Sequence, residues 1–262
     1  MDIPLGSLLN GFDVFLLVFV RMTGLFVIAP IFGRKNIPSY LKIGFSFFLA
    51  IILVNTITFK SLGSFDNIFE YMLIVLKEFL VGITIGYISY LVFSSVYVAG
   101  QLIDMEIGFG MVNVLDPVSN IQVPITSNFY FIISMLVFMS FNGHHMLIKA
   151  LFDSYNLIPL GGAVFNKALL GHLIVIFADI FIIGFKIAAP IIVAILLTDI
   201  TLGIISRTIP QLNVFVVGMP LKIIIGIIVI IATIPAFLSL TEILVGKMNG
   251  DMFVFIKDMA PK

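Results

Sequence analysis

The chain has 262 residues, of which 61% are hydrophobic and only 11% charged, against roughly 25% charged in soluble domains. Its 14 basic and 14 acidic side chains cancel, so the composition is that of a membrane protein or part of a membrane assembly, with no basic tract for nucleic acid. There is no Cys, which excludes disulfides, thiolate nucleophiles and Cys-based metal sites; Trp is absent too, leaving Tyr for any interfacial belt.

Asp2 and the lack of a basic leader argue against a cleaved signal peptide. Asp13 to Phe32 is the first long apolar stretch, and it carries Arg21. About 20 apolar residues cross a bilayer, so it is a candidate span with one charge. It ends in Ala29-Pro30-Ile31-Phe32-Gly33, followed by Arg34, Lys35 and Pro38. Ile43 to Phe59 is a second, shorter segment, and Ser61 to Glu70 a polar connection. Lys77-Glu78 lead into Phe79 to Ile103, which has no charge. Gly82 and Gly86 share a helix face there. They either let another helix approach closely or reflect the general frequency of glycine in membrane helices.

Gly100 to Pro124 then breaks the pattern. It has no Lys or Arg, three carboxylates (Asp104, Glu106 and Asp116), and the prolines Pro117 and Pro124. At its centre, Gly108 and Gly110 bracket Phe109, with Met111 and Val112 following. The glycines open φ > 0, and the Asp116-Pro117 pair restricts the chain to extended or turn geometry. Non-helical backbone survives at membrane depth only where protein covers it or it lines a water-filled cavity. Two readings stand: a mobile constriction in a conduit, or an ordinary surface loop, and composition alone favours the loop. In the first, Asp104 and Asp116 lie off the constriction and anchor the loop ends.

Asn128 to Ile148 is apolar and ends in Phe141-Asn142-Gly143-His144-His145. Asp153 to Pro159 with Gly161-Gly162 reads as a turn-rich break. Leu169 to Leu197 holds Asp179 and Lys186, and Pro190 is expected to kink or break it. Asp199 to Asn213 is mixed, with Arg207, Pro210 and Gln211. Val214 to Leu244 is the last apolar stretch, broken by Pro220-Leu221-Lys222 and Pro235, before a polar tail from Lys247. Hydropathy therefore predicts an all-α membrane protein of about six hydrophobic segments arranged as helical hairpins, some broken. The Lys/Arg bias gives no consistent orientation for six simple spans, so some segments are expected to pack against other subunits.

The isolated charges in apolar segments are Arg21, Asp179, Lys186, Arg207, Lys222 and Glu242. A charge at the bilayer centre costs at least about 2.5 kcal/mol, so each needs a partner or a function. Asp179 and Lys186 share a face but lie roughly 10 Å apart along a helix, too far to pair directly. A relay reading competes with inter-helix pairing, and the pairing is preferred because no path of carboxylates is evident. His144 and His145 point about 100° apart on a helix, a poor metal pair, and a solvated loop accounts for them better. No HExxH, GxSxG or GxxxxGK[ST] is present, so no enzymatic activity, cofactor or metal is expected.

Taken in order, several blocks resemble the FliR/SctT family of type III export-gate proteins, in its flagellar branch. They are Arg21-Met22-Thr23-Gly24 with Ala29 to Gly33, Gly108 to Met111 with Asp116-Pro117, and Phe141 to His144. The most specific runs from Leu202 through Arg207, Gln211 and Asn213 to Gly218-Met219-Pro220-Leu221-Lys222. The resemblance implies a FliP-like unit over about 1–165 fused to a FliQ-like helical hairpin over 166–262. It implies a hetero-oligomer with FliP-like, FliQ-like and FlhB-like subunits in the bacterial inner membrane, at the flagellar basal body, exporting unfolded flagellar proteins. It assigns the pore and its closed-state plug to Gly108, Phe109, Gly110, Met111, Val112, Asp116 and Pro117. Polar contacts in assembly or between helices fall to Arg21, Asp179, Lys186, Arg207, Gln211, Asn213 and Lys222. A virulence-type export-gate subunit and a stand-alone secondary transporter are the alternatives; the latter lacks paired broken segments in corresponding halves.

Overall fold

The computed structural model describes residues 5–34, 36–56, 67–109, 124–209, 211 and 213–261, apart from the side chains of 5–10 and 214. Among these residues the chain is helical and has no strand. The helices are α1 (Leu5–Ile28), α2 (Ser39–Thr56), α3 (Ile68–Ile107), α4 (Ile125–Ser140), α5 (Gly143–Leu157), α6 (Lys167–Thr208) and α7 (Val214–Met259). Five are long and apolar enough to cross a membrane, and α4 with α5 pass the same test as a pair bent by 65°. The expected all-helical, membrane-type architecture is what the chain adopts.

Contacts divide the chain into two compact units: Met1–Leu91 with Asn142–Val175 and Val245–Lys262, and Val92–Phe141 with Ile176–Leu244. The first buries Leu17, Met22, Leu25 and Phe26 of α1 with Val81, Ile85 and Ile88 of α3 and Met248, Met252 and Phe255 of α7. Gly82 shows why α1 and α3 come so close. A Cβ there would fall on the Arg21 carbonyl oxygen, and one at Gly24 would stand 2.6 Å from the Phe79 carbonyl. The Gly82/Gly86 pair therefore marks backbone-to-backbone packing, the close-approach reading of that motif. The second unit buries Phe93, Val96, Ile103 and Ile107 of α3 with Tyr130 and Phe138 of α4. Tyr130 stacks on Phe237 of α7 at 4.3 Å between ring centres.

Several boundaries differ from the hydropathy reading. The single segment Asn128 to Ile148 is two helices, because Asn142 adopts φ 54°, a left-handed geometry that Asn tolerates better than most residues. Asp153 to Asn156, read as a turn, belong to α5, and Lys77-Glu78 lie inside α3 rather than ahead of it. Pro190, Pro220 and Pro235 end nothing: α6 and α7 run through them. Each proline removes one helical donor, but one lost bond does not end helices this long, as membrane helices commonly allow. The tail from Lys247 continues α7 to Met259.

Candidate functional site

Arg21 is, with Glu78, the most enclosed charge among the described residues. The apolar run around it makes α1 helical, and that helix turns the guanidinium inward, where it is fully buried. Its Nε donates to Glu78 Oε2 at 2.6 Å and its Nη2 to Glu78 Oε1 at 3.1 Å. Nη1 donates to Ser154 Oγ at 3.0 Å, and Nη2 also to the Ile158 carbonyl at 3.2 Å. The guanidinium carbon stands 4.0 Å from the Tyr155 ring centre, a cation–π contact. Glu78 in turn accepts from the Gly161 N–H at 2.8 Å. A fork-to-fork pair with its remaining donors engaged is the arrangement that makes a buried ion pair tolerable. Sequence reading singled out Arg21 but missed Glu78, Ser154 and Tyr155. The available signal was the rule that a buried charge demands a counter-charge.

The central stretch is described only at its two roots. Gly108, with φ 97°, ends α3, and its N–H reaches the Asp104 carbonyl at 3.2 Å. Phe109 is half-buried. Gly110, Met111, Val112, Asp116 and Pro117 lie outside the described residues. On the far side, α4 begins after Pro124, which offers it no side-chain cap. Asp104 supplies one from α3: its Oδ1 accepts the Thr126 N–H at 3.0 Å. A carboxylate suits the positive end of a helix. One turn earlier, a Cβ on Gly100 would overlap the Ser127 backbone, and Ser127 Oγ donates to the Tyr97 carbonyl at 3.0 Å. Asp104 and Gly100 thus fasten α3 to α4 at both roots of residues 110–123. Asp104 Oδ2 is buried with no hydrogen-bond partner among the described residues.

The other predicted positions are more open. Lys222 Nζ lies 2.5 Å from Asp199 Oδ1, with side chains 24% and 40% exposed. This pair lies in a cleft of about 540 Å³ lined also by Met105, Glu106, Phe215 and Met219. Asn213 Oδ1 accepts the Phe215 and Val216 N–H groups at 3.2 and 3.4 Å, a cap for α7. Asp179 is half-buried, and Lys186, Arg207 and Gln211 are exposed. The histidine pair is not in a loop: both rings stand in the first turn of α5, 4.1 Å apart. His144 is partly buried, and its Nδ1 lacks a partner among the described residues. The third histidine, His172, meets Asp258 at 2.5 Å. No cluster of metal-ligating side chains occurs among the described residues.

Residues 12–248 match the family described as bacterial export proteins, family 1. Over 230 residues the chain is 40% identical to the flagellar biosynthetic protein FliR of Bacillus subtilis (strain 168), covering 87% of this chain and 88% of that one. It is 30% identical over 222 residues to FliR of Aquifex aeolicus (strain VF5), with 84% of each covered. It is 27% identical over 234 residues to FliR of Escherichia coli (strain K12), with 89% of each covered.

Proposed function

This chain belongs to family 1 of the bacterial export proteins, and on that premise we propose that it is a non-enzymatic subunit of the flagellar type III export gate, working in the inner membrane beside unlike subunits. The observation that carries the reading is the length of α6 and α7. They hold 42 and 46 residues, roughly 63 and 69 Å of helix. An upright span needs about 20 residues, and a span tilted by 40° about 26. Yet large apolar side chains stay exposed along the whole of each helix, from Leu170 to Ile204 and from Phe215 to Val254. One bilayer covers about half of that surface, and water is a poor solvent for the rest. Unlike protein subunits are the cover that fits, with FliP-like, FliQ-like and FlhB-like chains as the partners and 166–262 as the FliQ-like hairpin. The likeness to flagellar relatives favours that branch over a virulence-type apparatus.

Within such a complex, Gly108 to Pro117 is the segment that closes the conduit between passages of unfolded chains. Two features support this: apolar constrictions seal by dewetting, and both roots of the segment are held by Asp104 and Gly100. The test has two arms. Affinity purification of the full chain from its native host should bring down unlike membrane subunits in fixed ratio; a stable chain that comes down alone contradicts the proposal. Deleting residues 108–112 should leave that complex assembled but make membranes leak a small impermeant dye; an assembled and tight complex removes the plug role.

A further inference from the structure

We propose that the cleft between α4 and α7 at Glu242 docks a helix of an unlike subunit carrying one Lys or Arg among apolar residues. The inference deepens the assembly reading above by naming a contact surface and the chemistry of its partner. The cleft encloses about 390 Å³ and is lined by Leu136, Val137, Ser140 and Phe141 on one wall and Leu238, Ser239 and Glu242 on the other. Its single charge is the Glu242 carboxylate, which is exposed and has no hydrogen bond or ion pair to any described residue. The other polar groups are hydroxyls. That of Ser239 donates to the Pro235 carbonyl at 3.2 Å, which leaves its oxygen able to accept from a further donor.

A cleft with one unpaired carboxylate, further acceptor oxygens and apolar walls is complementary to an ammonium or guanidinium on an apolar stem. The stem packs along Leu136, Phe141 and Leu238 while the head meets Glu242. An ionisable group in such surroundings calls for a partner, and the chain supplies none within the cleft. The apolar sequence continues past Glu242 through Ile243, Leu244 and Val245, and Ile243 is 70% exposed. Apolar surface therefore flanks the carboxylate at Ile243 as well as along the cleft walls. Because α7 is too long for one bilayer to cover, a protein helix is favoured over lipid as the occupant.

The test places a photo-crosslinking amino acid at Leu136, and separately at Leu238, in the full chain expressed with its natural partners. The expected adduct is on an unlike subunit, within about one helical turn of a Lys or Arg in an apolar segment. Glu242→Gln should cut that adduct about tenfold, since removing one side of an enclosed charge pair leaves the other uncompensated; Glu242→Asp should retain most of it. Adducts only to lipid, to a second copy of this chain or to a segment without a basic residue overturn the inference, as does no protein adduct at either site. An adduct that survives Glu242→Gln unchanged overturns it too. If purification captures unlike subunits while the cleft remains unlabelled, the cleft is wrong and the assembly reading stands. If no unlike subunit is captured at all, the assembly reading itself fails.

Discussion

Two ion pairs show how differently this chain treats its charges. Arg21 and Glu78 are fully buried, joined by two hydrogen bonds and completed by Ser154, Tyr155 and backbone groups of the same unit. Lys222 and Asp199 are partly exposed, in an open cleft beside a second carboxylate, Glu106. The first pair is self-sufficient: the fold provides every partner that desolvation demands. The second keeps unused hydrogen-bonding capacity, as surfaces that meet other molecules do. The chain thus finishes one region by itself and leaves the other open.

The largest effect should come from breaking the closed pair. Arg21→Met strands the Glu78 carboxylate in an apolar interior, and removal of one member of a buried pair costs about 3–5 kcal/mol. The expected outcome is loss of most of the accumulated chain, read by immunoblot, and a lower melting temperature for whatever assembles. Adding Glu78→Met should return a good part of the loss, because two apolar side chains no longer need each other. A double variant as damaged as the single one would break the contrast.

A smaller effect is expected at the roots of the central stretch. Asp104→Ala removes the cap on α4 and should cost about 1 kcal/mol, whereas Asp104→Asn keeps an acceptor oxygen and should cost less. Amide hydrogen exchange at Thr126 and the residues after it should quicken in the alanine variant while the Arg21 region stays protected. Equal protection in both variants would show that the Gly100–Ser127 contact holds the roots alone.

The smallest effect belongs to the open pair. Lys222→Gln loses an interaction that solvent already screens, worth at most about 1 kcal/mol. Chain accumulation should hardly change. A loss as large as that from Arg21→Met would mean that the cleft around Lys222 is closed in the working assembly, which would sharpen the contrast into one between internal and intersubunit burial.

The sequence carried the helical class plainly, because long apolar runs with few charges leave the backbone no better way to satisfy its hydrogen bonds. It carried the Gly82/Gly86 close approach as one of two readings, and the choice needed the Arg21 carbonyl in place. It overstated the prolines as breaks, since each costs one donor locally and the helices continue past Pro190, Pro220 and Pro235. Glu78 escaped notice for a related reason. Beside Lys77 it looked like a polar lead-in, and only α3 running unbroken from Ile68 turns it towards Arg21. The anchoring expected of Asp104 is met at Thr126, while that expected of Asp116 falls outside the described residues. The bend at Asn142 was hidden because Met146 to Ile148 resume the apolar run, although Asn142-Gly143 is a turn dipeptide.

The most direct test of the central claim uses the natural absence of Cys. Single cysteines placed at exposed positions along α7 (Phe215, Ile224, Ile231, Ile243 and Val254) report burial one at a time, by reaction with a membrane-impermeant maleimide in opened native membranes. If unlike subunits cover what one bilayer cannot, every position should be protected in cells with the full export apparatus, and those near one or both ends should become reactive when the partner genes are deleted. Protection confined to a window of about 20–26 residues, unchanged by the loss of the partners, would contradict the account.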